Sequence, residues 1–178
     1  QVGGEIGRRI DNTIRNNMLA VDIDGDFLEP FRTRDAESGY VGLGHFLDAL
    51  SRFEAYRKDG DVAALKKRIV SSLAATREAD GYIGLFPTER RMSRLWDVHE
   101  ASHLIYGLSN DHRLSGSEVS LDLARGLGDG LIRRWRADPD AVANQFVMAN
   151  LDLEPALLSL YRETGNEELL DFCVQDRD

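Results

Sequence analysis

The period of the apolar residues constrains this chain more than any other feature, because it is that of an α-helix almost from end to end. Ile6, Ile10, Ile14 and Met18 form one stripe of a helix over about residues 4–20. Leu43, Phe46, Leu47, Leu50, Phe53 and Tyr56 mark a second over 39–57, and Leu65, Ile69, Val70 and Leu73 a third over 62–78. Further helices are expected over 96–108, 117–136 and 149–163, and a seventh from Glu167 to the chain end. Asp59-Gly60-Asp61 and Thr164-Gly165-Asn166 are tight breaks. No strand alternation runs beyond a few residues, so the expected class is all-α, a single domain over 1–178.

The connections alternate in length. Segments 21–38, 79–95 and 137–148 are long, 109–116 is intermediate, and 58–61 and 164–166 are short. If successive helices run antiparallel, the long segments gather at one rim and the short turns at the other. Long segments inside a compact domain are usually functional, so this rim is where a site is expected. Antiparallel helical hairpins with one long-loop rim suggest an α/α toroid or solenoid. No strict repeat points to a named repeat family.

Composition narrows the function classes. The 178 residues carry 22 Lys plus Arg against 31 Asp plus Glu, a formal net charge of −9, which argues against a general nucleic-acid binder. No apolar run approaches the roughly 18 residues of a membrane span, so no membrane partner is expected. The opening residues QVGGEIGRRID hold no signal-peptide stretch, which leaves the compartment open. Cys173 is the single cysteine, so neither an internal disulfide nor a multi-cysteine zinc site can form within this sequence.

The sharpest local string is Trp96-Asp97-Val98-His99-Glu100-Ala101-Ser102-His103. Its H-E-x-x-H core sets two imidazoles one helical turn apart on one face. Such a pair can hold zinc, with Glu100 as general base. A third ligand is not evident, however. The extended pattern requires a glycine and a histidine where this chain has Tyr106 and Ser109, and nothing marks out Glu118. The bland reading makes one histidine a hydrogen-bonded core residue and the other an exposed one. Between these lies a polar pocket at the long-loop rim, formed by His99, Glu100 and His103 with His45 from the helix over 39–57. Trp96, Tyr82 and Phe86 would add flat apolar faces, although each aromatic taken alone is a core residue. Imidazole and carboxylate groups beside aromatic faces suit a carbohydrate. We therefore expect His45, Tyr82, Trp96, His99, Glu100 and His103 to bind substrate, with no catalytic residue and no metal ligand assigned.

Three other patterns carry less. Asp22-Ile23-Asp24-Gly25-Asp26 resembles the start of a calcium loop, but Phe27 and Thr33 occupy the positions that need glycine and an acid. Gly126, Gly128 and Gly130 follow no strand and suggest close helix packing rather than a phosphate cradle. Arg133, Arg134 and Arg136 are expected to form a solvated helix end.

Several longer strings resemble the bacterial β-L-arabinofuranosidase family of glycoside hydrolases. GEIGRRIDNTIRNNML followed by DGDFLEPF resembles its start, GLGHFLDALSRF its first histidine segment, and READGYIG its D-G-Y loop. WDVHEASHLIYGL resembles its H-E region, shortened around the histidines, and LEPALLSLYRETGNEELLDF its Y-x-x-T-G hairpin. The order is that of the family. The resemblance implies an (α/α)6 barrel of about twelve helices, of which this chain would be the N-terminal portion. It also implies a retaining glycosidase in which a zinc-held cysteine thiolate attacks the anomeric carbon and a carboxylic acid protonates the leaving oxygen. Those groups lie downstream of the Y-x-x-T-G hairpin in the family and have no counterparts here, and Cys173 does not match the nucleophile. The chain is then expected to supply sugar-binding histidines, to be inactive in isolation, and to hold no cofactor, zinc belonging to the complete enzyme. The rest of the barrel or a second copy would cover its apolar flank. The alternatives are a zinc-dependent hydrolase using the motif at 99–103, a non-catalytic glycan-binding helical module, and an epimerase on the same barrel.

Overall fold

The computed structural model describes residues 2–37, 39–140 and 152–176. Among these every regular element is helical. The chain runs α1 (Gly4–Thr13), α2 (Glu29–Thr33), α3 (Leu43–Tyr56), α4 (Gly60–Thr76), α5 (Leu95–Ser115), α6 (Glu118–Ala137), α7 (Leu153–Thr164) and α8 (Glu167–Asp171). α1 continues into a π-helical turn, Ile14–Met18, and α8 into another, Phe172–Asp176. The expected helices over 39–57, 62–78 and 117–136 are present with ends shifted by a few residues. The long segment 137–148 and the start of the helix expected over 149–163 lie largely outside the described residues.

Two expectations of loop are corrected. Segment 21–38 contains a π-helical turn, Ile23–Leu28, followed by α2. Asp22 and Pro30 supply helix-start chemistry within this segment. Asp22 caps the turn by accepting from the Gly25 amide at 3.1 Å, and Pro30 sits in the first turn of α2, where its missing N–H costs nothing. Ile23, Leu28 and Phe31 are thereby buried. Asp24 of the calcium-like string pairs with Arg32 and Arg68.

The second correction is that 109–116 is helix up to Ser115. Its apolar period fades because Ser109, Asn110 and Asp111 are buried polar residues, each with a partner. The Ser109 hydroxyl donates to the Ile105 carbonyl, Asn110 donates to Asp48, and Asp111 accepts from Ser120 and pairs with Lys66. A helix whose polar residues are satisfied inside loses its amphipathic signature. α5 is central, packed between α3, α6 and α7.

The three glycines of α6 do pack closely. A Cβ on Gly81 would collide with the Gly126 carbonyl, one on Gly130 would meet the Asp80 carbonyl at 2.8 Å, and one on Gly128 would meet Leu160 at 3.0 Å. The three arginines of the cluster are exposed, as expected of a solvated helix end. Arg136 bridges Glu168 and Asp176, and Arg133 donates to the Asp80 carbonyl. Of the first stripe, Ile14 and Met18 are buried while Ile6 faces solvent. The segment 77–94 lies against the one before α3. Arg34 pairs with Glu78, and the Ala36 amide donates to the Leu85 carbonyl at 3.2 Å.

Candidate functional site

Two helices approach at glycine. Gly44 lies in the first turn of α3, where a Cβ would collide with the His103 carbonyl group, and a Cβ on Gly107 of α5 would collide with the Gly44 carbonyl. Close approach of backbones without side chains between them is what these glycines permit. It sets His45, the next residue of α3, beside His103, with ring centroids 3.6 Å apart. His99 precedes His103 by one turn and meets its ring edge-on at 4.4 Å. One ligand-capable atom from each of the three imidazoles falls within 4.8 Å of the others.

A cavity of about 280 Å³ opens against this cluster, lined by Gly44, His45 and Asp48 of α3, His103 and Tyr106 of α5, and Asp152 and Pro155 at the start of α7. Its volume sits at the low end for small-molecule sites, about 300–1,000 Å³, and suits one small ring better than an extended chain. The starts of α3, α5 and α7 therefore share one rim, as the loop lengths suggested. Beyond His99, Trp96 stacks on Tyr40 at 5.1 Å and 17°, and Tyr40 meets the His99 ring edge-on at 4.5 Å. Both aromatics keep substantial exposure, 42% for Tyr40 and 38% for Trp96, so the pair is a wall open to solvent rather than core.

Burial tunes the imidazoles. His103 is pushed down to about 4, first by desolvation and then by the neighbouring His45 and His99. His99 is lowered by desolvation and then by His45, and for both rings Asp152 acts in the opposite sense. Both are neutral near pH 7, able to accept and to donate a hydrogen bond.

Two of the residues expected to contact substrate are engaged by the protein itself. Glu100 is fully buried, and its carboxylate accepts from the amides of Val41 and Gly42 at 2.8 Å each and of Leu43 at 3.0 Å. α3 has no cap of its own, so Glu100 caps it from the neighbouring helix and complements its dipole. Burial raises its pKa against the pull of these amides. Both carboxylate oxygens are thereby engaged by the start of α3. Tyr82 is the other. Its hydroxyl donates to Asp97 at 2.8 Å and accepts from the Phe86 amide at 3.2 Å, and the Arg91 guanidinium covers its ring at 4.3 Å. Tyr82 and Phe86 are core residues that seat the 77–94 segment under α5.

The structure adds Tyr40 and Asp152. Tyr40 escaped notice because the helix expected from 39 enclosed it, whereas the backbone stays non-helical to Gly42, whose φ is +74°. Asp152 has no local motif, and only the convergence of helix starts places it 3.8 Å from His103 Nε2.

This architecture is that of the helical-toroid glycosidases. A crystal structure of a GH127 beta-L-arabinofuranosidase from Geobacillus stearothermophilus T6 superposes with a TM-score of 0.73 at 20% identity, a likeness of fold, covering 97% of this chain. That neighbour has an (α/α)6 barrel, of which the hairpins described here form part. The chain spans 31% of the neighbour's length. The model of the beta-L-arabinofuranosidase GH127 catalytic domain matches residues 18–175, and the chain belongs to that family. No curated protein matches the chain by sequence.

Proposed function

We propose that this chain is the N-terminal portion of a GH127-type glycoside hydrolase barrel and supplies the part of its sugar site made by His45, His99, His103 and Trp96, with Tyr40 added. The observation that carries this reading is the meeting of three of the chain's four histidines in one cluster, two of them lining a cavity, beside a stacked, open aromatic pair. Neutral imidazoles would exchange hydrogen bonds with ring hydroxyls, and the Tyr40–Trp96 wall would cover an apolar C–H face. The substrate class follows from the family, an L-arabinofuranoside. The family's cysteine-held zinc does not fit these residues, because Cys173 is the single thiol and lies on the terminal π-turn. The nucleophile and the general acid therefore belong to other parts of the enzyme, and the isolated chain is inactive on this reading.

Binding of methyl β-L-arabinofuranoside, followed through the histidine ring resonances, tests it. Saturable shifts at three of four histidines are expected, with affinity falling about tenfold in His99→Ala, the loss of one or two neutral hydrogen bonds. Absence of saturable shifts, or shifts confined to His112, would sink the proposal. A glycan-binding module without turnover predicts the same binding, but no activity even when the chain is joined to the rest of a catalytic barrel.

A further inference from the structure

The imidazole cluster admits a second ligand chemistry besides that of a sugar. Among the described residues, His99 Nδ1 and His103 Nε2 are buried and have no hydrogen-bond partner. Leaving a buried polar atom unpaired costs about 1–3 kcal/mol, so two side by side is a costly arrangement unless something occupies them. We propose that His45, His99 and His103 form a site for a divalent cation of the zinc, cobalt, nickel and copper class. This site is separate from any cysteine-held zinc of the complete enzyme.

The donor set selects the class. Imidazole nitrogen suits these borderline cations and not magnesium or calcium, which take oxygen ligands. Three histidines with a fourth position left open is a familiar zinc arrangement. Asp152, with Oδ2 3.8 Å from His103 Nε2, stands where a fourth ligand or a hydrogen-bond partner of bound water would be. The scaffold is firm on two sides. His99 and His103 are fixed one turn apart on α5, and His45 is held beside them by the Gly44–Gly107 approach. The present spacing of up to 4.8 Å is wider than the about 3.4 Å between nitrogens sharing a tetrahedral zinc. His45 is the exposed member and has the freedom to close the gap. The proposal does not rest on the sugar reading, since it needs only the three nitrogens. The two meet at one consequence, that a bound cation would occupy the nitrogens a sugar would use.

The test is a titration of the chain, free of affinity tags and stripped with EDTA, with Co²⁺ followed by its visible d–d absorption and with Zn²⁺ by calorimetry. One equivalent should bind with a dissociation constant of about 10 μM or tighter, Zn²⁺ should bleach the cobalt spectrum, and each of His45→Gln, His99→Gln and His103→Gln should weaken binding about tenfold or more. His45→Gln is the decisive variant because His45 is exposed and its loss leaves the core intact. His112→Gln should change nothing, as His112 lies near the C-terminal end of α5 against the Ser117 carbonyl. Absence of a saturable one-to-one complex, or a complex that survives His45→Gln and His99→Gln, would overturn the proposal. Metal binding measured without sugar and sugar binding measured with EDTA present fail independently.

Discussion

Glu100 shows at the scale of one residue how a catalytic-looking motif can be structural. Its three amide bonds close the N-terminus of α3, so Glu100→Ala strands three backbone donors inside the protein. Hydrogen bonds to a charged group are worth about 1.5–3 kcal/mol, and the buried cavity adds to this, so a loss of about 3 kcal/mol or more in urea unfolding is expected. Glu100→Gln keeps the shape but turns an NH₂ toward an N–H donor, and should cost about 1–2 kcal/mol. A residue that served only to contact substrate would give the opposite pattern, with stability unchanged and binding lost. The motif was legible in the sequence but its division of labour was not. H-E-x-x-H fixes which residues share a helix face, whereas the role of the middle carboxylate depends on Val41–Leu43, more than fifty residues earlier, arriving above it.

At the scale of elements, the α3–α5 crossing decides whether the imidazoles meet. Gly44→Ala puts a methyl group against the His103 backbone, which has no rotamer to yield, so the helices must separate. Overpacking of this kind costs about 1–3 kcal/mol, and here it should also part His45 from His103 and weaken any ligand bound between them. Gly126→Ala is the control within α6. Its Cβ would sit 3.7 Å from Gly81 and from Arg77, an ordinary contact, and the helix would gain up to about 1 kcal/mol from the better helix former. A thermal melt should therefore fall for Gly44→Ala and hold or rise for Gly126→Ala. Equal losses in both would mean that the crossing is not special. Periodicity revealed α3, α4 and α6 because each buries a stripe. It failed over 109–115, where the buried residues are polar, and over 23–33, where Asp22 and Pro30 begin helices that their composition disguises.

The whole molecule carries an electrostatic balance concentrated in two turns of α5. Asp97 is fully buried, and desolvation raises its pKa from 3.8 to about 6, against the pull of the Met92 amide, the Tyr82 hydroxyl and Arg91. A raised pKa makes a contribution that is full below the unfolded value and lost as pH climbs through 6. Glu100 is shifted in the same sense. His103, lowered from 6.5 to about 4, contributes stability that is full above 6.5 and lost as pH falls through 4, and His99 follows it in sense. Each of the two larger shifts is worth about 3 kcal/mol, and their windows overlap between about pH 4 and 6 with opposite slopes. The intact chain should thus show a shallow pH dependence there. Removing one side exposes the other. His103→Gln should lose stability as pH rises from 4 to 6, while Asp97→Asn should lose it as pH falls over the same range. Urea unfolding at pH 4.5, 5.5 and 6.5 with EDTA present measures all three slopes. Parallel curves for the two variants would refute the balance, because opposed slopes follow only if a buried acid and buried bases share this helix.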